Sequence, residues 1–310
     1  MDLRQLEIIR AIADTGSFTA AGEKLHVSQS AISRQILLLE EELGEPVFHR
    51  IGRRIRITPA GESLLQLSHR VFQDLQDTVS AISDKQESLN GTMRLVGGMT
   101  VCLYVFPSLL AEVRRSHPNL DLKVTVGSAE RSIAVLRAGA ADLGLVTLPV
   151  DASDFIEVPL FQDELLLITY PSHPLAKKTQ ITPADLDRQP FILFESGSIT
   201  RRLVEAFFTR EGIESHIVME TENVEIIKAM VRNGLGISVI PWQAAADDVR
   251  QKQLFCSRIA GQTLTRQTGW IYPKMSRLPR MVAEVMKVAQ AVKPGLDAAV
   301  RPDLREFAGR

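Results

Sequence analysis

Gln29, Ser30, Ser33 and Arg34 are spaced so that a helix carries them on one side, in a chain of 310 residues. Their side chains suit a DNA groove: glutamine pairs with adenine, arginine with guanine, and serine bonds either base or phosphate. Ser28, just before them, is a helix N-cap and, with Ser30, a candidate for backbone contact. Arg50, Arg53, Arg54 and Arg56 then place four positive charges in seven residues with no acid among them. After a reading helix, Arg53 and Arg54 would hold phosphate or enter the minor groove. A solvated polar face on a small helical bundle explains each of these features taken singly.

The surrounding sequence predicts the elements that position these groups. Ser17 caps a short helix whose apolar residues are Phe18, Ala21 and Leu25, and His26-Val27 forms a turn. Ser28 opens a second helix with an inward stripe of Ile32, Ile36, Leu39 and Leu43, ended by Gly44. Val47-Phe48 and Ile55, Ile57 alternate with polar residues around Ile51-Gly52-Arg53, which predicts a two-stranded wing. An amphipathic helix with Leu3, Leu6, Ile9 and Ala13 precedes all of them.

The formal net charge is −1, and residues 1–91 hold 10 Lys and Arg against 13 Asp and Glu, a net of −3. DNA affinity would therefore depend on a few placed contacts, with modest non-specific binding. The N-terminus lacks an apolar signal core, and no run of eighteen apolar residues occurs, so a cytoplasmic protein without a membrane partner is expected. Two isolated cysteines, Cys102 and Cys256, imply neither a disulfide framework nor a metal site. Cys102, near a predicted helix start, would be either a thiol of lowered pKa or a small residue at a core edge. No nucleophile elbow, zinc-protease motif, phosphate loop or nicotinamide fingerprint stands in a fitting context, and a non-enzyme is expected.

Leu64, Ser68, Val71, Leu75, Thr78 and Ile82, flanked by Leu67 and Phe72, form a long stripe within residues 59–89. Such a stripe packs either on its own domain or against a second protomer. After Asn90-Gly91, short β-rich runs alternate with helical patterns, for example 93–96, 122–126, 143–146, 165–169, 191–194, 217–219, 237–240 and 270–272 with helices at 104–116, 132–138, 200–211, 224–233 and 279–292. This alternation predicts an α/β domain with mainly parallel strands. Hydroxyls fall at several strand ends: Thr100, Ser128, Thr147, Ser196, Ser198 and Thr200. N-capping alone accounts for most such residues.

The string from Leu6 to Gly61 resembles the winged helix-turn-helix of LysR-type transcriptional regulators. It is carried by Gly16-Ser-Phe-Thr-Ala-Ala21, Ser28-Gln-Ser-Ala-Ile-Ser-Arg-Gln-Ile36, Leu39-Glu-Glu-Glu-Leu-Gly44, Val47-Phe-His-Arg50 and Ile57-Thr-Pro-Ala-Gly61. Length and layout match that family to about residue 293. Gly22 stands where the family usually has Ala, at an expected helix-propensity cost of about 1 kcal/mol. Leu37 and Leu38 stand where a basic residue is common.

The resemblance implies an α/β chain with an all-α, winged helix-turn-helix N-terminal domain over residues 1–58 and a dimerisation helix over 59–89. It further implies a periplasmic-binding-protein-like effector domain over 90–293 and a tail over 294–310. Subdomain I would hold about 90–162 and 268–293, and subdomain II about 163–267. A small-molecule effector, an anion, would bind between them near Thr100, Val101, Ser128, Thr147, Ser196, Ser198, Thr200 and Arg201, and no other cofactor is expected. The implied partners are double-stranded DNA, RNA polymerase and further copies in a homodimer or homotetramer. A ligand-independent or thiol-redox-responsive regulator is the alternative, and a solute-binding protein the more remote one.

Overall fold

The computed structural model describes residues 1–51, 54–82, 89–178, 180–261 and 263–299. Two compact units emerge: Met1–Glu87 with Ala134–Asp142 and Arg277–Arg280, and the remainder.

The first unit begins with α1 (Leu3–Thr15), closed at its start by a capping box between Asp2 and Gln5 and ended by left-handed Gly16. Ser17 caps α2 (Phe18–Leu25), and left-handed His26 turns the chain. Ser28 caps α3 (Gln29–Leu43), which Gly44 ends. Ile32, Ile36 and Leu39 join Leu6, Ile9, Ile12, Phe18 and Ala21 in one core. β1 (Phe48–Ile51) and β2 (Arg54–Ile57) pair antiparallel as a hairpin. Glu40 on α3 accepts hydrogen bonds from the backbone N–H groups of Val47 (2.7 Å) and Phe48 (3.2 Å), which ties the hairpin to that helix.

In α4 (Pro59–Ile82) the stripe divides in two. Leu64, Leu67, Val71 and Phe72 pack on the unit's own core, and buried Ser68 donates to the Leu6 carbonyl at 2.9 Å. Leu75 and Val79, two turns on, are exposed.

The second unit is a curled α/β structure. It opens with β3 (Gly91–Gly97), α5 (Met99–Tyr104), α6 (Phe106–Ser116), β4 (Leu120–Val126), α7 (Ala129–Arg137), which runs on past the unit boundary, and β5 (Leu143–Leu148). The helical pattern expected over 104–116 is α6 apart from its first two residues, and α5 is a separate short helix before it, the two broken at Val105 with Pro107 in the new first turn. β6 (Phe155–Thr169) leads to β7 (Pro190–Leu193), α8 (Ile199–Glu211), β8 (His216–Glu220), α9 (Val224–Arg232), β9 (Ser238–Pro241), α10 (Trp242–Arg250) and β10 (Phe255–Ser257). β11 (Leu264–Pro273) returns, and α11 (Arg280–Ala299) follows. The expected elements omit α10, although Trp242, Ala245, Ala246 and Val249 recur at helical spacing and are all buried.

The large sheet runs β10-β6-β11-β5-β3-β4, with β9 also on β6. β3 pairs parallel with β4 and β5, and β7 with β8, but every ladder made by β6 or β11 is antiparallel. The expectation of mainly parallel strands therefore holds for the ladders β3–β4, β3–β5 and β7–β8 and fails for every ladder of the long strands β6 and β11. β6 travels outward and β11 back, so the two cannot be parallel. Along β6, Leu165 and Leu167 enter one core and Leu166 and Ile168 another, so a continuous apolar run marks a strand covered on both faces.

α11 passes through Pro294 and reaches Ala299, with Leu296 buried. A separate tail from residue 294 is thereby corrected over 294–299, and residues 300–310 lie outside the described residues. No described helix is long and apolar enough to cross a membrane.

Gly22 reverses its propensity argument. A Cβ there would lie 2.7 Å from the Val27 carbonyl oxygen, because the turn between α2 and α3 folds directly over it. That oxygen is backbone and cannot swing aside. Gly22→Ala is therefore expected to destabilise by about 1–2 kcal/mol, where propensity alone would raise stability. A thermal midpoint at or above wild type would contradict the close approach.

Candidate functional site

Two groups of side chains merit attention, one on each unit. On the first, Ser28 Oγ accepts from the Ala31 N–H at 3.2 Å, so it is an N-cap before anything else. It also lies 3.0 Å from Ser30 Oγ, and Gln29 Nε2 donates to Ser33 Oγ at 2.8 Å. Gln29, Ser30 and Arg34 are exposed and Ser33 is half-buried. Arg34 makes no ion pair among the described residues. The hairpin after α3 sets Arg56 opposite His49, both exposed. Arg53 lies outside the described residues, as does the side chain of Arg54, whose backbone belongs to β2.

On the second unit, the carboxyl ends of the parallel strands of both halves converge. The segments after β3, β4, β7 and β8, with Val146 and Thr147 of β5, line a cavity of about 350 Å³ that has the β11 residue Arg266 in its wall. Parallel strands with crossover helices produce such a crevice at their carboxyl edge. Thr100, Val101, Ser128, Thr147, Ser196, Ser198 and Thr200 all line it.

The hydroxyls there share a hydrogen-bonding logic. Ser128 Oγ accepts from the Arg131 N–H (3.3 Å) and Ser198 Oγ from the Arg201 N–H (3.1 Å), each capping the helix that follows. Thr200 Oγ1 accepts from Arg266 Nη1 at 2.9 Å. A hydroxyl whose oxygen is already an acceptor keeps its proton to donate. Thr100 is 7% exposed, and its hydroxyl has no partner among the described residues. The wall therefore offers O–H donors, together with the first-turn N–H groups of α7 and α8. Thr147 does not end its strand but lies within β5, opposite Thr268.

One expected cavity residue is corrected. Arg201 is not in the cavity wall. Its guanidinium, 4% exposed, donates to the Phe194 carbonyl (2.8 Å), Glu205 (2.7 Å) and Glu220 (3.0 Å), binding α8 to β7 and β8. Two other arginines line the wall, Arg131 in the first turn of α7 and buried Arg266, which is held to Asp163 at 3.0 Å by Nη2. Burial pushes the Asp163 carboxyl up from its usual range, and the guanidinium pulls it back down. Sequence reasoning missed Arg266 because Asp163 and Arg266 are 103 residues apart and meet only through strand register. Of the two readings of Cys102, the small residue at a core edge is the one favoured: burial pushes its thiol up to about 11, the reverse of a helix-activated thiolate.

A polar cluster lies beyond the cavity. Tyr104, at the end of α5, donates to Glu225, and Lys228 Nζ donates to Tyr104 Oη at 2.9 Å and Asp248 at 2.7 Å. Arg232 also bonds Asp248. Lys228 and Asp248 are buried. α5 begins in the cavity wall at Thr100, and α9 begins two residues after Glu222, which also lines it. Among the described residues no group of three His, Cys, Asp or Glu is placed to hold a metal ion.

Comparison with known proteins agrees with this architecture. Residues 3–62 match the bacterial regulatory helix-turn-helix protein, lysR family, and residues 86–293 match the LysR substrate binding domain. A probable RuBisCO transcriptional regulator of Trichormus variabilis is 33% identical over 288 residues, covering 91% of this chain and 85% of its own. Full-length OxyR of Pseudomonas aeruginosa superposes with a TM-score of 0.79 at 25% identity, covering 97% of both chains. The regulatory domain of Synechocystis CcmR, solved in complex with 2-PG, gives a TM-score of 0.61 at 25% identity over 66% of this chain and 98% of its own. With both domain profiles matched over most of its length, the chain belongs to the LysR family of transcriptional regulators.

Proposed function

We propose that this regulator reads duplex DNA with the exposed side of α3, holds the backbone with its wing, and responds to a small anion in the 350 Å³ cavity. Gln29, Ser33 and Arg34 contact bases, while Ser28, Ser30, Arg53 and Arg54 hold phosphate or the minor groove. The observation that carries the effector reading is the donor set of the cavity. Thr100, Ser128, Ser198 and Thr200 present hydroxyl protons beside two helix starts and a buried guanidinium, which suits a ligand rich in acceptors. The complex of the CcmR domain with 2-PG supports a small ligand in a domain of this kind. Glu130, Glu195 and Glu222 also line the cavity, so its selectivity is set against highly charged anions. Binding, not catalysis, is the role, exercised in the cytoplasm. A homodimer or homotetramer doubles the weak contacts of a net-acidic DNA-binding unit and meets RNA polymerase at a promoter.

The effector acts through its differential affinity for two arrangements of the effector domain. Both α5 and α9 run from the cavity to the Tyr104–Lys228 cluster, so a change at the cavity reaches that cluster through two rigid helices. A thiol switch is not favoured, because the Cys102 thiol stays protonated near neutral pH.

Arg34→Ala is expected to weaken specific DNA binding by about 1–3 kcal/mol with a much smaller effect on non-specific binding. Equal losses in a gel-shift titration against operator and random duplex would remove Arg34 from base reading. For the cavity, a panel of small carboxylates and phosphate esters is screened by thermal shift on the full chain. A compound that stabilises wild type should bind Thr100→Val about tenfold more weakly, the value of one hydrogen bond to a charged group. DNA binding of the ligand-free variant should match wild type, and loss of both properties would make Thr100 a folding residue. Peroxide treatment is expected to leave DNA binding unchanged, and a loss seen in wild type but not in Cys102→Ser would restore the redox reading.

A further inference from the structure

The outward side of α3 does not end with its polar groups. Leu37 is 55% exposed and Leu38 45%, and neither packs on the core of its unit. At 3.6 residues per turn Leu37 falls about 20° from Ser30 and about 40° from Ser33 around the helix axis. Leu38 lies about 100° further round, off that stripe. Leu37 is also about 10 Å along the axis from Ser30, a span that a major groove of roughly 12 Å accommodates. Exposed Glu41, one turn later, is the next residue on this side, and its carboxylate is repelled by phosphate. Leu37 is thus the last group of the polar stripe that can remain inside a groove, and it is the apolar one.

We propose that Leu37 is a specificity-determining residue that packs against the C5 methyl group of a thymine in the major groove. This rests on the reading of α3 as the DNA-facing helix. The methyl is the one apolar feature a base pair presents in that groove, and a leucine adds shape to it without hydrogen bonds. A leucine here also brings no charge to phosphate, so fewer counterions are released than with a basic side chain. The surface is continuous with Ser30, Ser33 and Arg34, and none of the chain's own core covers it.

The test is selection from a random duplex pool with the full-length protein as wild type, Leu37→Ala, Leu37→Arg and Arg34→Ala. The selected wild-type site should carry a fixed thymine in each half. Replacing that thymine by deoxyuridine removes only the methyl and should weaken wild-type binding roughly fourfold, the value of one buried methyl group. Leu37→Ala should be indifferent to the replacement, and Leu37→Arg should lose the thymine preference while its binding becomes steeper in salt. An unchanged deoxyuridine penalty in Leu37→Ala, or no thymine dependence in wild type, overturns the proposal. Dissociation of the oligomer by Leu37→Arg in sedimentation also overturns it, since Leu37 would then face another copy. If Arg34→Ala alters the selected site and Leu37→Ala does not, only the Leu37 assignment fails. If neither alters it, the reading of α3 itself fails.

Discussion

The larger unit depends on the antiparallel ladder between β6 and β11, which runs through all ten residues of β11. These two strands carry the chain out to the half holding β7 to β10 and back again. Their register decides that Arg266 stands opposite Asp163, and therefore that a cation reaches the cavity wall beside Thr200. The pair is deeply buried, and its mutual attraction offsets a desolvation cost of several kcal/mol per ion. Such a pair adds little net stability when intact and costs much when halved. The pair holds the Arg266 guanidinium in one orientation at the cavity wall.

The cavity shows how a modest set of residues serves folding and recognition together. Ser128 and Ser198 cap the helices that follow them, and the same bonds leave their hydroxyl protons available to donate at the cavity wall. The functional and structural readings of those serines are therefore one geometry. Arg201 is the contrasting case, with its guanidinium committed to three protein acceptors that join α8 to its neighbouring strands. The Tyr104–Lys228–Asp248 cluster adds a polar contact between helices that both start at the cavity. A ligand that shifts either start has a short rigid path to it.

In the DNA-binding unit, interpretation turns on close approach. The turn between α2 and α3 lies so near Gly22 that an alanine would meet the Val27 carbonyl, and Gly61 is similarly covered by the Val47 carbonyl at 2.2 Å from its Cβ position. Helix propensity alone ranks Gly22 as a weakness. The packed structure makes it the condition for the turn. α4 carries the same lesson, since one uniform stripe in the sequence divides into a half packed at home and a half with exposed Leu75 and Val79.

Local order was legible from the residues because its causes are local. Ser17, Ser28 and Gly44 mark helix ends through capping and left-handed geometry, and the Ile32–Ile36–Leu39 stripe marks the buried side of α3. The strand-end hydroxyls were legible for the same reason, since capping chemistry singles out serine and threonine. The antiparallel crossing of β6 and β11 and the run of α11 to Ala299 were not, because each is decided by partners distant in sequence. By itself the sequence determined the helix-turn-helix, the wing and the hydroxyls at the strand ends, all products of short-range spacing. Tertiary structure decided that Arg266 and not Arg201 reaches the cavity wall and that the Cys102 thiol is pushed up to about 11. Both follow from strand register and burial, which bring together groups that no short-range spacing relates.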